Sequence, residues 1–119
     1  MQTFYFYDLE TSGFNPRSAR IMQFAGQRTD MNLVPVGEPD NILVKITPDV
    51  LPDPDAAMVT GITPQQTLVD GISEAEFTKY FIDTIATPDT IFVGYNTVRF
   101  DDEFMRYTLY RNFYDAYEW

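Results

Sequence analysis

A mixed α/β sheet flanked by helices is the fold class that this sequence predicts, on three observations. The first half carries three short apolar runs separated by turn-forming residues. The second half carries helix-capping signatures that open amphipathic segments. One further apolar run lies between those segments, so the element order reads β-β-β-α-β-α, the pattern of an α/β sheet with both parallel and antiparallel neighbours.

Taken in order, the first strand spans about Thr3 to Leu9, apolar at both odd and even positions, as a central strand covered on both faces requires. Gly13-Phe14-Asn15-Pro16 reads as a turn. The second strand is about Ile21 to Thr29, and Thr29-Asp30-Met31-Asn32 suits a hairpin, predicting an antiparallel meander. The third, about Ile42 to Ile46, sets Ile42, Val44 and Ile46 on one face. Pro48, Pro52 and Pro54 keep the chain extended before a short turn or helix near Ala56 to Val59. Thr63-Pro64-Gln65-Gln66 has the form of a capping box with proline at the first helical position. Ser73-Glu74-Ala75-Glu76 is a second box, opening a helix whose stripe is Phe77, Tyr80, Phe81 and Ile85, ended by Thr87-Pro88. Thr90 to Tyr95 is a fourth strand, and a last helix runs from near Phe100 to about Phe113, with Phe100, Phe104 and Tyr107 on its core stripe.

The 119 residues fit one domain, and 45% hydrophobic with 16% aromatic content is globular. With neither an 18-residue apolar run nor a signal-peptide pattern, the sequence predicts a soluble, cytoplasmic protein without membrane association. No cysteine and no histidine are present, which excludes thiolate zinc sites, Ser-His-Asp machinery and imidazole-ligated metals. Any metal must have oxygen ligands, favouring magnesium or manganese. The net charge of −10 argues against a simple basic nucleic-acid surface. Asp49, Asp53, Asp55, Asp70, Glu74 and Glu76 read as solvated surface.

The acids that stand out are Asp8 and Glu10, at the end of the aromatic run Phe4-Tyr5-Phe6-Tyr7. Residues i and i+2 of a strand share a face, so both carboxylates project into one small volume. Like charges that close repel unless a cation lies between them, so the pair points to a divalent-metal site, against the plainer reading of two solvated acids at a strand end. Asp101, in Arg99-Phe100-Asp101-Asp102-Glu103, follows a strand and opens a helix, where acids are also favoured by the helix dipole. If the fourth strand lies beside the first, Asp101 comes near the other two.

Asp8-Leu9-Glu10-Thr11 resembles the first motif of the proofreading-type (DEDD) 3′-5′ exonucleases, and Asn96 to Asp101 resembles their second. Gly94-Tyr95-Asn96-Thr97-Val98-Arg99-Phe100-Asp101-Asp102-Glu103, Tyr110-Arg111-Asn112-Phe113-Tyr114-Asp115 and Val59-Thr60-Gly61-Ile62-Thr63-Pro64-Gln65 narrow it to the bacterial exodeoxyribonuclease I type, over essentially the whole chain. The resemblance implies a ribonuclease H-like fold and removal of 5′-mononucleotides from the 3′ end of single-stranded DNA, with roles in repair and recombination. It implies two Mg2+ ions, with Mn2+ as a substitute, about 4 Å apart, where such a pair generates a hydroxide nucleophile and stabilises the leaving oxygen. Asp8 would bridge both ions, Glu10 would bind one, and Asp101 would hold the second directly or through water. Glu10, Leu9, Thr11, Phe14, Arg106 and Tyr117 are the candidate substrate contacts, within a cluster of Arg99, Arg106 and Arg111 among Tyr107, Tyr110, Tyr114 and Tyr117, the composition single-strand binding asks for. The plainer reading of such rings at helical spacing is core. Single-strand DNA-binding protein and the remainder of the same polypeptide are the implied partners.

The family pattern also needs a general-base histidine and a final aspartate, on a later helix. Their absence leads to the expectation that residues 1–119 are the truncated N-terminal part of an exonuclease domain, lacking its last strand and helices. By itself such a chain should catalyse little, gain only weak stabilisation from magnesium in a thermal-shift experiment, and expose the sheet face near Phe4 and Phe6. Glycoside hydrolysis fits poorly, because its carboxylates flank a cleft from separate elements. A non-catalytic nucleic-acid-binding or interaction module and an RNA-acting exonuclease of the same superfamily stay open.

Overall fold

The computed structural model describes residues 1–13, 15, 19–45, 64–94 and 98–112, with the backbone alone for 64, 65 and 98–102. Strands β1 (Thr3–Thr11), β2 (Ile21–Thr29), β3 (Asp40–Leu43) and β4 (Thr90–Gly94) form one sheet in the order β3-β2-β1-β4. The first three make the expected antiparallel meander, and β4 runs parallel to β1. Helix α1 (Pro64–Asp70) precedes α2 (Glu74–Tyr80), which continues into a π-helical turn, Phe81–Ile85. Helix α3 (Val98–Arg111) follows β4. The turn at Phe14 and Pro16, the segment near Ala56 to Val59, the Thr63 cap, Ile46, Tyr95 and Phe113 lie outside the described residues.

β1 explains the layering. Thr3, Tyr5, Tyr7, Leu9 and Thr11 are buried, whereas Phe4, Phe6, Asp8 and Glu10 are only half-buried. The strand is therefore two-faced, covered on its odd side and only partly on the side of Phe4 and Phe6, the face expected to be exposed. Odd positions meet Phe24 of β2 and Phe92 of β4, then Phe77, Phe81 and Ile85 of α2 and its π turn, with Phe104, Met105 and Leu109 of α3. Phe24 is fully buried at the centre, its ring 6.1 Å from Tyr5, 6.0 Å from Tyr7, 5.3 Å from Phe77 and 6.0 Å from Phe81. Ring pairs of this kind add about 0.5–1.5 kcal/mol each beyond area burial.

The capping box of α2 is formed: Ser73 Oγ accepts from the Glu76 amide at 3.1 Å, and the Glu76 side chain accepts from the Ser73 amide. Phe77, Phe81 and Ile85 keep their stripe even though the ladder widens to π geometry after Tyr80. The β2–β3 turn is held by Asp30, whose Oδ1 accepts from the amides of Asn32 (2.8 Å) and Val34 (3.0 Å).

β3 begins at Asp40, earlier than its apolar pattern suggests, because Asp40 is gripped by two phenols. Tyr5 of β1 donates to Oδ2 and Tyr80 of α2 to Oδ1, each at 2.5 Å. Val44 is buried as expected but lies past the strand, bridging Ile72. The hydrogen bond to Asp40, then burial and the carboxylate's charge, push the Tyr80 phenol up to about 12 from 10.0. Burial first, then the same carboxylate, raise Tyr5 further. With folded values above unfolded ones, this stabilisation is complete below pH about 10 and lost as pH rises through about 12. Urea-unfolding midpoints should therefore fall on raising the pH above 10, less steeply in Tyr80→Phe; equal slopes for the two proteins would contradict this assignment.

Candidate metal and nucleic-acid site

Asp8 and Glu10 lie in the last four residues of β1, which runs two residues past Leu9. Both occupy its half-buried face, with Ala25 opposite Asp8 and Gln23 opposite Glu10 on β2. Just beyond, the register slips so that Thr11 faces Ile21. Met22 is the extra residue, which is why the adjacent Ile21 and Met22 are both buried. A bulge of this kind bends a strand and re-aims its side chains, often beside active sites.

The electrostatics of the pair fit a cation. Asp8 Oδ1 is buried and has no hydrogen-bond partner. Burial, and secondarily the charge of Asp8, raise the Glu10 carboxyl above its ordinary value. No basic side chain among the described residues forms an ion pair with either acid. Two neighbouring carboxylates, one with an orphaned buried oxygen, constitute an oxygen donor set suited to Mg2+ or Mn2+. Among the described residues no three acidic side chains gather into a metal-ligating group.

Asp101 reaches this end of the sheet through topology. The parallel β1–β4 register ends with Tyr7 opposite Gly94, one residue before Asp8. Four residues later α3 begins, and Asp101 lies in its first turn, one turn ahead of the buried Phe104 and Met105. The strand ends carrying Asp8 and Glu10 therefore lie at the same end of the sheet as the start of α3, where open α/β sheets place their ligands. The Asp101 side chain, Phe14 and Tyr117 are outside what the structure describes.

The remaining candidates separate. Leu9 and Thr11 turn their side chains to the buried face, and Thr11 Oγ1 donates to the Gly13 carbonyl at 2.6 Å. Only their main chain can face a ligand on the acidic side. β4 stops at Gly94, so among the described residues the β1 edge beyond Tyr7 has no ladder partner on that side. Arg106 is half-buried in mid-α3, and Tyr110 is 73% exposed. Tyr107, expected in the core, is half-buried.

Arg111 is no free cation: its Nε and Nη2 donate to Glu74, each at 3.2 Å. Glu74 is correspondingly not solvated surface, and Glu76 closes the α2 cap. Gln23 went unnoticed in the sequence because its place opposite Glu10 needs the strand register; its Nε2 donates to Asn41 Oδ1 at 2.7 Å, lining the acidic face with neutral amides.

A family model described as Exonuclease matches residues 5–119. The chain belongs to the exonuclease family. Exodeoxyribonuclease I of Haemophilus influenzae is 48% identical over 117 residues, which are 98% of this chain and 25% of that protein. The crystal structure of Escherichia coli exonuclease I in complex with a dT13 oligonucleotide superposes with a TM-score of 0.96 at 45% identity, covering 100% of this chain and 26% of that one. An ExoI/SSB-Ct complex matches with the same TM-score, identity and coverage. The fold is thus the ribonuclease H-like fold of exonuclease I, and the exonuclease-family chain spans about a quarter of the length of the curated relatives it matches.

Proposed function

We propose that this chain carries part of the active site of a 3′-5′ exodeoxyribonuclease that hydrolyses single-stranded DNA to 5′-mononucleotides, with work in DNA repair and recombination. The observation that carries the reading is the Asp8–Glu10 pair on one strand face, with a buried oxygen of Asp8 lacking any partner, in a chain of the exonuclease family. Support for the substrate comes from a structural relative bound to a dT13 oligonucleotide, and for single-strand DNA-binding protein as a partner from the ExoI/SSB-Ct complex.

Asp8, Glu10 and Asp101 would hold the divalent ions. When bound, two such ions supply a hydroxide nucleophile and stabilise the leaving oxygen. The protein's own residues set the geometry. β1 fixes the two carboxylates at strand spacing, the β2 bulge at Met22 lies beside the end that carries Glu10, and α3 starts at the neighbouring strand end with Asp101 in its first turn. The main chain of Leu9 and Thr11, with Phe14, Arg106 and Tyr117, would receive the terminal nucleotide. The chain spans about a quarter of the length of its curated relatives, so the proposed activity is that of the whole polypeptide.

The test uses that polypeptide with 5′-labelled single-stranded DNA, duplex DNA and RNA of one sequence, with Mg2+ and with excess chelator. Mononucleotide release from single-stranded DNA only, stopped by chelator and by a blocked 3′ end, is the expected result. Equal degradation of RNA would move the assignment to an RNA-acting exonuclease, and binding without cleavage to a non-catalytic module.

A further inference from the structure

From one half-buried carboxylate we infer that Glu74 is a positioning residue for the acidic site, acting through α3; this deepens the exonuclease reading and rests on it. Glu74 sits in the first turn of α2, where its Oε1 accepts from Arg111 Nε (3.2 Å) and Asn112 Nδ2 (2.9 Å). Oε2 accepts from Arg111 Nη2 (3.2 Å) and lies 3.9 Å from Arg20 Nε. Arg20 closes the loop that leaves β1: the Ser12 amide donates to the Arg20 carbonyl and the Arg20 amide to Ser12 Oγ, both at 2.9 Å. Ser12 is two residues beyond Glu10. A single side chain therefore ties the loop after the Glu10 strand end to the last turn of the helix that carries Asp101.

The leverage is geometric. Asp101 stands ten residues before Arg111 on α3, about 15 Å away at 1.5 Å per residue. A pivot of about 5° at the clamp moves the first turn by about 1 Å, a displacement that costs reactions up to about 100-fold. Phe104, Met105 and Leu109 hold α3 on the core, but apolar contact is non-directional and leaves slide and tilt weakly defined. The two-pronged guanidinium–carboxylate contact defines both. Stability alone accounts poorly for the cluster, because Arg111 Nη1 is buried without a partner and enclosed ion pairs roughly break even against apolar replacements.

In the full-length polypeptide, Glu74→Gln should keep its melting temperature within a few degrees and its KM for single-stranded DNA, while kcat falls about tenfold. Mn2+ binding, read by electron paramagnetic resonance without substrate, should weaken in parallel. Arg111→Lys, which keeps the charge but loses the fork, should show the same pattern, and Asp83→Asn, which breaks the exposed pair with Lys79, should show none of it. A folded Glu74→Gln protein with unchanged kcat and Mn2+ affinity overturns the proposal. So does unfolding of both clamp variants, which would make the cluster purely structural. If the parent binds Mn2+ but degrades no DNA, the exonuclease reading fails instead, and Mn2+ affinity alone decides the role of Glu74.

Discussion

Asp8→Asn in the full-length polypeptide should reduce single-stranded DNA hydrolysis at least about a thousand-fold, roughly 4 kcal/mol of transition-state stabilisation, with no loss of folding stability. The two halves of this expectation have one cause. Asp8 Oδ1 is buried without a hydrogen-bond partner, and the charge of Asp8 adds to the burial that already disfavours ionised Glu10. Such an arrangement is unfavourable in itself, and a bound cation would relieve it. Removing one charge while keeping the shape relieves repulsion but takes away a carboxylate that, on the proposed reading, would hold the ions. The melting temperature without metal should be unchanged or higher, and its response to Mg2+ should diminish. Retained turnover in a folded Asp8→Asn protein would remove this residue from the site.

Gly26→Ala should be the most damaging small substitution in the sheet, costing about 3 kcal/mol, the upper part of the range for overpacked cores. A Cβ at this position would lie 2.4 Å from Tyr5 Cε1 and 2.4 Å from its hydroxyl oxygen. Tyr5 has little room to yield: it is 2% exposed, donates to Asp40, and lies beneath the Arg28 guanidinium at 5.2 Å. Arg28 is itself anchored by Thr3 Oγ1, Thr90 Oγ1 and the Ile85 carbonyl at 2.7, 2.9 and 2.8 Å. Moving the ring therefore disturbs β1, β3, β4 and the π turn together. Urea unfolding gives the number, and a loss below about 1 kcal/mol would mean that the ring relocates cheaply.

Local chemistry made much of this fold legible in the sequence. The limits of β2, the hairpin at Asp30, the Ser73 box and the stripe of Phe77, Phe81 and Ile85 all depend on neighbours a few residues away. What escaped depends on distant partners. Asp40 starts β3 early because Tyr5 and Tyr80, 35 and 40 residues away, hold its carboxylate. Glu74 reads as surface until Arg111, 37 residues on, packs against it. The pairing of Asp8 with Glu10 followed from strand periodicity, but Gln23 opposite Glu10 required the β1–β2 register, which no local signal announces.

The alternation of β1 has a consequence for how such a protein can change. Successive residues answer to separate demands, Tyr5, Tyr7 and Leu9 to cohesion and, on the proposed reading, Asp8 and Glu10 to chemistry. Because the two sets never share a side of the ribbon, even positions can be replaced while the odd ones keep the core packed. A lineage could thus retune or discard its chemistry without first rebuilding the scaffold that displays it.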